Sequence, residues 1–247
     1  MNVKAYVIHL QRARCRQTLV RALLRAIPTH TVVLPAVDGK TLSEEYVRDV
    51  YQSALHCPPY PFDLLSAEVG CFLSHRRAWQ SILEDDCDAG LIVEDDVAVS
   101  STMFKETVRA AMASVRPDEF IRFPIKPRQE CGAVTRAVGG LTLIEPHLPG
   151  LGMQLQLVGR EAARQLLDAS ARFDRPVDSF VQMQWLHGVR VLSARPVVVR
   201  DATEMHDGST VQTHRKDIID RLSREVYRPI FRLSIRIRND IWRRQVA

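Results

Sequence analysis

The chain holds 247 residues, 46% hydrophobic and 26% charged, ordinary values for a globular protein able to bury a large α/β core. No run approaches the ~18 consecutive apolar residues of a membrane-spanning helix, and the start, Met1 to Leu10, lacks the segments of a secretory signal. The net charge of +5 is uneven: from Arg215 onward ten Lys/Arg face four Asp/Glu, so the rest of the chain sums to −1, which argues against a nucleic-acid partner.

The elements follow in chain order. Lys4 to Leu10 is a short apolar run that predicts a buried first strand. Leu19, Val20, Leu23, Leu24 and Ile27 recur with helical spacing up to Pro28, and Thr31 to Leu34 predicts a second strand before the Asp38-Gly39 turn. This β-α-β opening points to a parallel sheet with helical crossovers. Pro58, Pro59 and Pro61 mark a loop over residues 55–64. A helix is expected from Ser66, read as its N-cap, to about Leu83. Gly90 to Val93 predicts a strand, residues 103–115 a helix, and Glu119 to Phe123 a strand. Short strands are expected near 133–138, 141–144 and 153–158, a helix over 159–169, a short helix over 177–186 and a strand over 189–192. The domain is expected to end near residue 212, with a basic helical tail over 213–247.

Two clusters carry chemistry. The apolar run Leu91-Ile92-Val93 ends in Glu94-Asp95-Asp96, at the carboxyl end of a strand, where open α/β sheets bind ligands. Adjacent carboxylates repel one another and are costly to desolvate unless a cation joins them, and hard oxygen donors favour Mg²⁺ or Mn²⁺ shared with substrate phosphates. A solvated acidic turn is the plainer alternative. Upstream, Glu68 and His75 lie two helical turns apart, with Ser74 beside them.

The run Glu68-Val69-Gly70-Cys71-Phe72-Leu73-Ser74-His75, followed by Val93-Glu94-Asp95-Asp96, resembles the pattern of glycosyltransferase family 25, the lipooligosaccharide and collagen galactosyltransferase group. Ile8-His9-Leu10 with Arg16 is similar to the family's opening, with His9 where the pattern carries Asn; Asp38-Gly39, Pro176-Val177-Asp178-Ser179-Phe180, Pro196 and His206-Asp207-Gly208-Ser209 match more loosely. The resemblance implies a GT-A-like α/β fold with a central, mostly parallel sheet. It also implies a UDP-sugar donor, most often UDP-galactose, and a lipooligosaccharide or other glycan or glycolipid acceptor. In that reading Asp96 and His206 hold Mn²⁺ or Mg²⁺, and Glu94 and Asp95 assist in catalysis. Leu10, Arg16, Asp38, Glu68, Ser74 and His75 bind substrate, and Asp178 is the general base of an inverting transfer; as a plainer alternative Asp178 caps a helix. The expected activity is thus an inverting galactosyltransferase. The alternatives are a degenerate glycosyltransferase-fold binding module and a metal-dependent phosphohydrolase.

The five cysteines, Cys15, Cys57, Cys71, Cys87 and Cys131, form no C-x-x-C pair and read as free thiols in a reducing cytoplasm. In the tail, Arg224, Arg228, Arg232 and Arg236 recur every four residues, while Val226, Ile230, Leu233, Ile237 and Ile241 form an apolar stripe. That pattern predicts either a helix lying peripherally on an anionic membrane or one docked on the domain with its arginines in water.

Overall fold

The computed structural model describes residues 1–99, 101–125, 130–202 and 218–246, with backbone alone at 101 and 218–226. Its centre is an eight-stranded sheet in the order β2-β1-β3-β8-β5-β9-β7-β6. The strands are β1 (Val3–His9), β2 (Thr31–Pro35), β3 (Ala89–Glu94), β5 (Glu119–Arg122), β6 (Gly132–Val138), β7 (Leu141–Pro146), β8 (Leu155–Gly159) and β9 (Arg190–Arg195). A two-stranded ribbon, β4 (Val97–Val99) with β10 (Val199–Asp201), stands apart from it.

The β-α-β opening forms as its sequence predicts. β1 and β2 pair in parallel, joined by α1 (Gln17–Ala26), and β3 joins β1 in parallel after α2 (Glu44–Val50) and α3 (Ser66–Glu84). Alternate residues of β1 and β3 then point to opposite faces, the period-two consequence of strand geometry. On one face Ala5, Val7, Leu91 and Val93 bury against Leu23 of α1 and against Phe104 and Val108 of α4 (Ser101–Ser114). On the other, Tyr6, Ile8 and Ile92 meet Phe72, Trp79 and Ile82 of α3 and Leu166 of α5 (Arg160–Ala169). Both faces are covered, which explains why these strands read as near-continuous apolar runs.

The expectation of a mostly parallel sheet is corrected. β8 pairs antiparallel with both β3 and β5, and β7 pairs antiparallel with β6 and β9, so parallel pairing is confined to β1–β2, β1–β3 and β5–β9. Periodicity identifies a strand but carries no direction, so this insertion was not readable from the chain. The expected 177–186 helix breaks at Met183 into α6 (Val177–Val181) and α7 (Gln184–His187). β4 and β10 are three-residue elements without a sequence signal of their own, whereas α2 is announced by Ser43, which caps it, and by Glu44 and Glu45 in its first turn. Ser66 is the first helical residue of α3 and not its cap; the Glu68 carboxylate accepts the Leu65 N–H instead, at 2.8 Å.

The loop over 55–64 is held down by a fully buried ion pair. Asp174 accepts the His56 N–H at 2.8 Å, and Arg175 donates to the Pro58 carbonyl at 3.0 Å. The tail is no separate appendage. α8 (Ile218–Val246) packs on the domain through Phe231 and Ile235, which meet Met183, Tyr60 and Leu148. Asn239, fully buried, bonds the Gln184 N–H and the Gln182 carbonyl. The proposed boundary at 212/213 and His206 lie outside the described residues.

Candidate functional site

The carboxyl ends of β1 and β3 open onto a cleft of about 240 Å³ closed on its far side by the first half of α3. It is lined by Leu10, Arg12, Arg16, Asp38, Lys40, Cys71, Ser74, His75, Glu94, Asp95 and Asp96, among others. Its wall is built by close backbone approach. A Cβ on Gly70 of α3 would fall 2.7 Å from the Gly39 nitrogen and the Val37 carbonyl, and one on Gly39 would fall 1.7 Å from the Ser66 carbonyl. Only glycine permits this contact at either position. Ser74 completes the seam, accepting the Val37 N–H at 2.8 Å while donating to the Gly70 carbonyl.

The three acids have three different surroundings. Asp95 is buried and saturated: Oδ1 accepts from Arg16 Nη1 at 2.5 Å, and Oδ2 accepts from His9 Nδ1 at 2.7 Å and from the Leu10 N–H at 3.3 Å. Glu94 is held by His75, whose Nε2 lies 3.1 Å from Oε1, with the Cys71 thiol at 3.8 Å. Gln156 Nε2 donates to His75 Nδ1 at 3.1 Å, so the histidine proton sits on Nε2 and points at Glu94. Asp96 differs from both. Among the described residues its Oδ1 is buried without a partner, and Oδ2 reaches only to Arg16 at 3.6 Å. Burial, then the neighbouring Glu94, push its carboxyl up to about 7, against the pull of Arg16.

Seven of the residues expected to bind substrate or assist catalysis thus meet in the cleft: Leu10, Arg16, Asp38, Ser74, His75, Glu94 and Asp95, with Asp96 beside them. Glu68 does not; its carboxylate is spent at the start of α3. Asp178 adjoins without lining the cleft. Its carboxylate accepts the Gly152 and Ser179 N–H groups at 3.1 and 2.6 Å, the bonding of a helix-start carboxylate, and burial raises its pKa. Sequence reasoning missed Arg12, which bonds Asp38 at 2.6 Å, along with Lys40, Cys71 and Gln156. Cys71 stood inside the quoted motif, four residues before His75, and that spacing on a helix was its signal. Among the described residues, Cys71, His75 and Glu94 are the only trio of His, Cys, Asp or Glu whose donor atoms gather within 4.8 Å.

A divalent ion fits this arrangement in part. Asp96 offers a free buried oxygen, whereas both oxygens of Asp95 are already occupied. Mg²⁺ and Mn²⁺ are commonly held by one or two carboxylates plus ligand phosphates, so Asp96 would supply the protein's share.

The family model described as glycosyltransferase family 25 (LPS biosynthesis protein) matches residues 2–128. The chain belongs to glycosyltransferase family 25. The matched region contains the whole cleft, from β1 through the Glu94-Asp95-Asp96 turn. Within this family, the chain is 26% identical to a mouse protein named inactive glycosyltransferase 25 family member 3, over 79% of this chain and 36% of that protein. The cattle protein named probable inactive glycosyltransferase 25 family member 3 is 28% identical, again over 79% and 36%. Human procollagen galactosyltransferase 2 aligns over less, 42% of this chain and 17% of its own length, at 26% identity. The chain spans about a third of the length of the curated relatives it matches most broadly. Among solved structures, mannose-1-phosphate geranyltransferase from Thermus thermophilus aligns with a TM-score of 0.40 and 10% identity, over 78% of this chain and 73% of that one, a likeness too distant to carry an argument.

These relatives correct the expected activity. The family members that align over most of the chain are named inactive, so the expectation of a working galactosyltransferase is overturned.

Proposed function

We propose that the chain is a non-catalytic glycosyltransferase-family module that binds the diphosphate portion of a nucleotide sugar. The observation that carries this reading is the saturation of Asp95 by Arg16, His9 and the Leu10 N–H. With three of its roughly four acceptor positions taken, and the Arg16 guanidinium offsetting its charge, this carboxylate has little left for a metal or a reacting group. His9 takes part in that saturation, at the position where the family pattern carries Asn. Of the three acids, Asp96 keeps a buried oxygen that has no partner among the described residues, enough to tether Mn²⁺ or Mg²⁺ to a bound diphosphate. Arg12 and Lys40, on the opposite wall, supply cationic donors for phosphate oxygens. The cleft volume of about 240 Å³ suits the phosphates and ribose, with the sugar at the open rim. The free thiols suit a reducing compartment such as the cytoplasm.

Calorimetry with UDP and UDP-galactose, with and without Mn²⁺, tests the reading. Binding strengthened by Mn²⁺, with no UDP released from the donor in the presence of glycan acceptors, is the expected result. UDP release above the rate in buffer overturns the non-catalytic half, and absence of binding overturns the ligand half.

A further inference from the structure

The tail sequence left two readings open, a helix on a membrane or a helix on the domain. α8 has separate faces for both. The docked face is the line Phe231, Ile235 and Asn239, each buried. The stripe singled out in the sequence is a different line: the Val226 side chain lies outside those described, and Ile230, Leu233, Ile237 and Ile241 remain 58%, 57%, 50% and 51% exposed. Spaced 3, 4 and 4, these side chains share one side of the helix over about 16 Å, turned away from the sheet. Among the described residues nothing covers this row, and α8 is anchored through its other face. Four large aliphatic side chains in one exposed row, on a helix that has another face to bury, mark an interaction surface.

Charge decides what kind. Arg236 borders the row, Arg244 continues it toward the C-terminal end, and Arg232 and Arg238 stand further round, all exposed. Two copies meeting along this row would bring Arg244, and Arg236 with its Asp240 partner, against their counterparts, a net like-charge contact that disfavours self-association. An anionic bilayer suits both features: aliphatic side chains enter the acyl boundary while arginines snorkel to the headgroups. Among the described residues no helix is long and apolar enough to cross a membrane, so the contact is a surface one. We propose that the outward row of α8, Ile230, Leu233, Ile237 and Ile241 with Arg236 and Arg244, seats the folded domain on an anionic lipid surface. The inference does not depend on what the cleft binds.

Vesicle flotation of the full chain tests it. The protein should float with phosphatidylcholine vesicles containing phosphatidylglycerol, about tenfold less with phosphatidylcholine alone, and less as salt rises. Replacing the row (I230Q, L233Q, I237Q, I241Q) should lower partitioning about tenfold. The pair R236E and R244E should lower it similarly at low salt, and both sets should leave the thermal midpoint in place because the positions are exposed. Equal flotation of wild type and both variants overturns the proposal. So does failure of the wild type to float. A concentration-dependent dimer abolished by the row variant, without flotation of the wild type, reassigns the row to self-association and also overturns it.

Discussion

The parallel and antiparallel parts of the sheet use charge differently. Around β1 and β3 ionisable groups crowd a cleft with one acid left over: Arg16, His9 and His75 answer Asp95 and Glu94, and Asp96 is incompletely met. Around β5, β6, β7 and β9 the acids Glu119, Glu130 and Glu145 each have an arginine partner at close range, although Glu130 Oε2 is buried without a hydrogen bond among the described residues. Arg122 bonds Glu130, Arg136 grips both oxygens of Glu119, and Glu145 sits between Arg190 and Arg243. The parallel strands β1 and β3 end side by side at the acid-lined cleft, whereas the hollow beside β6, β7 and β9 is lined by Glu145 together with Arg190 and Arg243, which pair with it. The incompletely met acid in the first part is what the proposed ligand site rests on, and the paired charge in the second holds the fold.

If that contrast is right, removing a charge should hurt the second part and can help the first. The largest effect is expected from Arg122→Ala. Arg122 is buried with Glu130 and also donates to the Leu151 carbonyl, so its loss strands a buried acid; urea unfolding should show a cost of ~3–5 kcal/mol. Next comes His187, buried beside β9, its Nε2 donating to the Val181 carbonyl and its Nδ1 accepting the Val189 N–H. Burial lowers its pKa to about 4, so the unfolded chain binds the proton more readily between pH 6.5 and 4. Stability should therefore fall as pH drops through that window, by ~2–3 kcal/mol, and His187→Gln should flatten this part of the pH profile.

The opposite sign is expected at Asp96. With its carboxyl raised to about 7, the native state holds a proton that the unfolded state releases, so this group's contribution declines as pH rises from about 4 toward 7. Asp96→Asn should raise stability by ~1–2 kcal/mol at pH 8 and change little at pH 4, while removing the Mn²⁺ dependence of UDP binding. Destabilisation at pH 8 would place Asp96 among the structural charges and dissolve the contrast. The smallest change is Ser74→Ala, which leaves the Val37 N–H without its partner; thermal unfolding should register ~1 kcal/mol.

The sequence made the site's location legible and its wiring opaque. An apolar strand ending in three acids, after a helix carrying Ser74 and His75, was enough to place the cleft. What neutralises Asp95 was not readable, because Arg16 and His9 reach it from 79 and 86 residues away. Glu68 illustrates a different failure. Its seven-residue spacing from His75 is a true helical relation, but a carboxylate in the first turn is drawn to unpaired backbone N–H groups before any ligand. The tail's apolar stripe was legible to the residue, but its direction was not, since periodicity says which side chains align and not which line the domain takes up.

The glycine seam between α3 and the 37–39 segment has a consequence for how such a protein changes over time. The cleft's outline on that side is set by main chain resting on main chain, at Gly39 and Gly70, and not by the side chains that project into it. Polar residues lining the hollow can therefore be exchanged one by one without the hollow collapsing. A lineage can surrender its chemistry and keep its grip, because the mould and the reagents are encoded at different positions.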